Sequence, residues 1–126
     1  MATERCRVLV VDDDQDTAQT FAYLFVGMGH EATFLTDPLQ VVDVVKRIKP
    51  HIIFLDIGMP GLNGWEVAKM IRRHYPPDRD GVKLIAITGH ADETARVKSR
   101  QAGFDAHLPK PVSMDLAEAI IQLFFR

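Results

Sequence analysis

Three short apolar runs, Val8-Leu9-Val10-Val11, Ile52-Ile53-Phe54-Leu55 and Leu84-Ile85-Ala86-Ile87, constrain the fold of this chain more than any other feature. Their shortness and nearly unbroken apolar character mark them as strands buried on both faces. The segments between them carry apolar residues at helical spacing. Strands that alternate with helices require a parallel sheet with right-handed crossovers and helices on both faces.

The rest of the chain fills in that alternation. A strand over residues 7–11 leads into a helix over 14–28, with Phe21, Leu24, Phe25 and Met28 on its apolar face and Gly29 as its stop. A weaker strand covers 31–35. Pro38 stands in the first turn of a helix whose apolar side is Val41, Val42, Val44, Val45 and Ile48, and Pro50 ends it. The third strand covers 51–55. Gly64 or Trp65 begins a helix carrying Val67, Ala68 and Ile71, and Pro76-Pro77 then forces an extended loop through Gly81. A fourth strand over 82–87 precedes a helix over 92–102 with Gly103 just beyond its end. A short strand over 105–108 and a last helix, capped by Ser113 and carrying Leu116, Ile120, Ile121 and Phe124, finish the pattern. The first, third and fourth strands are the most apolar and so central. The expected fold is therefore α/β, a flavodoxin-like (βα)5 doubly wound sheet in the order 2-1-3-4-5.

At 126 residues the chain is expected to be one domain over 1–126 with a single core. A net charge of −2 gives no support to direct binding of nucleic acid or anionic membrane. No run reaches membrane-spanning length and the N-terminus has no signal-like apolar stretch. Cys6, the single cysteine, reads as a small half-buried residue. A reducing cytoplasmic setting fits these features.

The chemistry gathers at one edge of the sheet. Asp12, Asp13 and Asp14 follow the first strand, and Asp56 ends the third. The topological switch point of a 2-1-3-4-5 sheet lies between those strands, so Asp12, Asp13 and Asp56 converge there. Such a cluster costs free energy until a cation neutralises it, and hard oxygen ligands suit Mg²⁺. Thr88 ends the fourth strand and Lys110 follows the fifth, adding a hydroxyl and an ammonium. Together these groups suit a phosphoryl group, with Asp56 as the nucleophile and Gly89 leaving it space.

In the order and spacing of Asp12-Asp13, the segment Asp56 to Gly64 (DIGMPGLNG), Ile87-Thr88-Gly89 and Lys110-Pro111, the whole chain resembles the receiver domain of two-component response regulators. The resemblance implies a phosphorylation-activated signalling switch that takes a phosphoryl group from a histidine kinase or a histidine phosphotransfer domain onto Asp56. It implies Mg²⁺ held by Asp13, Asp56 and the Gly58 carbonyl, with Asp12 acting through water. Thr88 and Lys110 would contact the phosphoryl group, and the Lys110-Pro111 bond would be cis. Thr88 and His107, which stands where the family more often has Tyr or Phe, would be the switch positions. Gly58 and His90 occupy the positions that tune acyl-phosphate hydrolysis. Such a domain is an enzyme only in catalysing its own phosphorylation and dephosphorylation. Its output face would be the fourth helix, fifth strand and last helix, which could also pair two copies. A single-domain regulator and a piece of a hybrid histidine kinase or larger regulator both fit.

Three other readings fit the residues less well. Asp12, Asp14 and Asp16 alternate like an EF-hand loop, but Thr17 stands where glycine is needed and Tyr23 where the bidentate glutamate belongs. A haloacid-dehalogenase-type phosphatase would use a nucleophile after the first strand and leave Asp56 unexplained. A receiver kept only for docking would have lost an acidic, threonine or lysine position, and none is lost. Trp65 reads either as a docking aromatic or as a ring packed over the acceptor loop. Pro109 fixes the backbone beside Lys110.

Overall fold

The structure is a computed structural model, and it describes residues 5–59, 63–78, 81–89 and 92–125. Along the chain run β1 (Arg7–Val11), α1 (Gln15–Gly27), β2 (Glu31–Leu35), α2 (Val41–Ile48), β3 (Ile52–Asp56), α3 (Gly64–His74), β4 (Lys83–Thr88), α4 (Glu93–Ala102), β5 (Ala106–Pro109) and α5 (Met114–Phe124). All strand pairs are parallel and the order is β2-β1-β3-β4-β5, as the apolar runs predict.

The helices begin where side chains replace missing backbone partners. Asp14, Asn63, Asp92 and Ser113 each accept a hydrogen bond from an amide three residues on, at α1, α3, α4 and α5. The segment at Pro38 differs from expectation. It is a 3-10 turn, Pro38–Gln40, in which Asp37 accepts from the Leu39 amide, and the α-helix proper starts at Val41. Lys49 closes that helix in a left-handed conformation, φ 49°, directly before Pro50. The fifth strand also lies one residue later than predicted, because Asp105 serves another bond described below.

Successive strand residues point to opposite faces and divide the core in two. Leu9, Val11, Ile53, Leu55, Leu84 and Ala86 face α2, α3 and α4, meeting Val41, Val45, Val67, Ile71 and Phe104. Val8, Val10, Ile52, Phe54, Ile85, Ile87 and Leu108 face α1 and α5, meeting Phe25, Ile120 and Ile121. The Phe25 and Phe54 rings stack at 5.0 Å between centroids, and burial of each stabilises the fold by roughly 1.5–3 kcal/mol. Cys6 is fully buried, not half-buried, because it adjoins this second layer. Leu24 and Leu116 depart from their assigned core positions, at 44% and 40% exposed, because each sits on the outer shoulder of its helix. Phe124 and Phe125 are both partly buried, and the Phe125 ring lies 4.5 Å from that of His51.

One charged side chain pins the far end of the sheet. The Arg72 guanidinium, almost buried, donates to the carbonyls of Gly103 and Val82 at 3.0 and 2.9 Å and to Asp105 Oδ2 at 2.8 Å. Asp105 Oδ2 also accepts the Leu84 amide at 2.9 Å. Gly103 has φ +105°, and a Cβ there would fall 2.5 Å from Arg72 Cγ, so this turn requires glycine twice over. Among the described residues no helix is long and apolar enough to cross a membrane.

Candidate functional site

β1 and β3 lie side by side in parallel, with Val11 opposite Leu55. The residues that follow therefore leave the sheet at the same edge. Carboxylate oxygens of Asp12, Asp13 and Asp56 lie within 4.8 Å of one another there, with Asp12 and Asp56 buried and Asp13 exposed. The three predicted acidic residues are thus brought together.

Burial pushes the Asp12 carboxyl up to about 6, against the pull of its bond from the Asp14 amide. The negative charges of Asp56 and Asp13, and a hydrogen bond with Asp13, push in the same direction as burial. The bond from Asp14 N to Asp12 Oδ1 is 3.0 Å long, and Asp14 in turn caps α1 through Thr17. The first-helix cap therefore orients the cluster.

Asp56 Oδ1 accepts the Gly58 amide at 3.0 Å and Lys110 Nζ at 3.2 Å. No hydrogen bond among the described residues reaches Oδ2. Lys110 is 45% exposed in its side chain against 7% for Asp56, so a flexible cation meets a fixed anion. The lysine backbone is fixed by its amide, which donates to the Thr88 carbonyl at 2.9 Å, and the Lys110-Pro111 bond is cis, as expected. These groups line an open cleft of about 470 Å³, floored by Asp12, Asp13 and Asp56 and walled by Lys110, Thr17 and Phe21.

Thr88 and His107 lie outside the lining of that cleft. Thr88 is buried at the end of β4, beside Pro109 of β5. His107 pairs with Ala86, so alternation along the two strands puts Thr88 and His107 on the α4 side of the sheet. His107 Nε2 is buried with no partner among the described residues. Burial lowers the pKa of His107, and Arg96 and Arg100 of α4 lower it further. His90 and the Pro60-Gly61-Leu62 part of the acceptor loop lie outside the described residues. Gly58 is exposed, and a Cβ added to it would make ordinary contact with Asp56 Oδ1 at 3.7 Å.

Three features escape sequence reasoning. Thr17 and Phe21 form a wall of the cleft, although Phe21 reads as core from its spacing alone. Gly64 abuts the acceptor strand: a Cβ there would lie 2.6 Å from Ile57 Cα and 2.7 Å from the Asp56 carbonyl oxygen. Trp65 donates from Nε1 to Ser99 Oγ of α4 at 3.0 Å, and it packs, partly buried, against the cluster that holds Ile57 and Met59 of the acceptor loop.

Comparison with known proteins agrees with this geometry. Residues 8–122 match the family model of the response regulator receiver domain. The DNA-binding response regulator MtrA of Mycobacterium tuberculosis is 31% identical over 111 residues, 88% of this chain and 46% of that protein. The chain thus spans about half the length of that relative. Among solved structures, the Vibrio cholerae chemotaxis protein CheY4 superposes with a TM-score of 0.86 at 18% identity, covering 97% of this chain and 100% of that one. A co-crystal of the Saccharomyces cerevisiae histidine phosphotransfer signaling protein Ypd1 with the receiver domain of Ssk1 matches with a TM-score of 0.85 at 21% identity, covering 98% and 91%.

Proposed function

This chain belongs to the response regulator receiver domain family, and from that premise we propose that Asp56 is its phosphoacceptor. The observation that carries the proposal is the asymmetry of the Asp56 carboxylate. Oδ1 is held by Gly58 N and Lys110 Nζ, which leaves Oδ2 for attack at the cleft. The donor is a phosphohistidine on a histidine kinase or a histidine phosphotransfer domain, a reading supported by the Ypd1–Ssk1 complex. As the O–P bond forms, the P–N bond breaks, and the departing imidazole nitrogen keeps the electron pair and takes up a proton. The Lys110 ammonium then shifts its hydrogen bond from Asp56 Oδ1 to a phosphoryl oxygen, and the Thr88 hydroxyl turns toward another.

The donor set fits Mg²⁺. Three carboxylates crowd together, and one of them is disfavoured as an anion until a cation arrives. Asp13, Asp56 and the Gly58 carbonyl would hold the ion, with Asp12 assisting through water. Bound there, Mg²⁺ offsets the charge of the cluster and of the phosphoryl oxygens.

Movement of Thr88 and rearrangement of His107 on the same sheet face shift the population of conformers at the α4-β5-α5 surface. That surface meets the output partner or a second copy of the chain. The work is done in the cytoplasm.

Intact mass after incubation with acetyl phosphate tests the acceptor. The expected result is a gain of one phosphoryl group that needs Mg²⁺ and disappears in Asp56→Asn. A gain that persists in Asp56→Asn overturns the assignment.

A further inference from the structure

α4 is held unlike the other helices. Its buried side chains are Ala95, Ser99 and Ala102, so little apolar area fixes it to the sheet. What holds its middle is a polar contact. Trp65 Nε1 donates to Ser99 Oγ at 3.0 Å, with Ser99 fully buried, and Lys98 Nζ lies 5.1 Å from the centroid of the same indole.

The indole is also coupled to the acceptor. Trp65 directly follows Gly64, whose amide donates to the Ile57 carbonyl at 3.0 Å. The space a Gly64 Cβ would need is taken by the Asp56 carbonyl and Ile57 Cα at 2.7 and 2.6 Å. The end of β3, the first turn of α3 and the centre of α4 therefore form one chain of close contacts. Close-packed groups pass a displacement on because they have no free volume to absorb it.

We infer that the Trp65–Ser99 hydrogen bond is a latch that holds α4 in its resting position and is released when Asp56 is phosphorylated. The inference rests on the acceptor reading above and adds a second route from the site to α4, through α3. A bond made in only one of two conformers biases their equilibrium by what the bond is worth. Its removal should shift that equilibrium roughly fivefold to tenfold. By linkage, a ligand that favours the other conformer should bind tighter by the same factor.

The test uses Ser99→Ala, which suits a helix, and Trp65→Phe as a second variant; neither residue lines the cleft. Amide hydrogen exchange is followed across α4, and beryllofluoride, an acyl-phosphate mimic, is titrated in Mg²⁺. The expected result is faster exchange confined to α4 in both variants, tighter beryllofluoride binding, and a double variant no different from either single one. The emission of Trp65, the one tryptophan, should shift on beryllofluoride binding in the unsubstituted protein and barely in Ser99→Ala. Unchanged α4 exchange and unchanged affinity in folded Ser99→Ala overturn the latch. So does faster exchange spread evenly over the molecule, which reports lost stability instead. An unsubstituted protein that neither binds beryllofluoride nor gains phosphoryl mass sinks the acceptor reading, and the latch with it.

Discussion

Replacing Asp12 by asparagine should stabilise the metal-free protein. The substitution keeps an oxygen able to accept the Asp14 amide at the position of Oδ1 and removes the charge. In the folded state the carboxyl is pushed from 3.8 to about 6. Between those values the folded state binds more protons than the unfolded one, so stability falls as pH rises. The stabilisation is complete below 3.8 and is lost as pH climbs through 6. At ~1.36 kcal/mol per tenfold change in proton affinity, and reduced by solvent screening at a carboxyl open to the cleft, the ionised group costs about 1–3 kcal/mol at pH 7. Asp12→Asn should recover most of that at pH 7, little of it at pH 4, and flatten the pH profile. Urea unfolding in EDTA at several pH values measures it. Mg²⁺ should reverse the order, stabilising the unsubstituted protein more than the variant, because the cation needs the carboxylate ionised. An Asp12→Asn protein that is less stable in EDTA at pH 7, with the same pH slope as its parent, would refute the claim that crowding and burial strain this group.

Two further outcomes follow from the geometry. Gly64→Ala should cost about 1–3 kcal/mol by urea unfolding, because the methyl group meets backbone that cannot yield, and should slow phosphorylation of Asp56 by displacing it. His107 should titrate below its ordinary 6.5 in a ¹⁵N NMR experiment on the imidazole, because burial and then Arg96 and Arg100 disfavour its charged form. The unfolded chain then takes the proton first, so this group lowers stability as pH falls below 6.5; a titration at or above that value would contradict the burial of Nε2.

The strands and their order were legible because apolar runs such as Val8 to Val11 need both faces covered, and only an alternating parallel sheet does that. The convergence of Asp12, Asp13 and Asp56 followed from that order alone. Residues whose role depends on three-dimensional neighbours were not legible. The spacing of Leu24 places it on a helix face but does not tell how far that face is covered, and the residue is 44% exposed. Trp65 gave an aromatic beside a loop, while its partner Ser99 lies 34 residues away. Arg72 reads as one more charge near a helix end, yet it closes the α4–β5 turn through Gly103 and Asp105. Such pairings are set by tertiary packing, and local pattern carries no signal for them.

Pro109 has a consequence beyond its neighbouring lysine. Among the described residues β5 pairs only with β4, so its other side is an open edge of the sheet. The Lys110 amide points inward to Thr88, and alternation along the strand therefore turns the position of the Pro109 nitrogen outward. Proline places no N–H there. A strand from another molecule that tried to extend the sheet would find a ring where its carbonyl needs a donor, on an edge only four residues long. Were two copies to meet on the proposed α4-β5-α5 surface, they would have to recognise each other by side chains, because the proline opposes open-ended strand addition there.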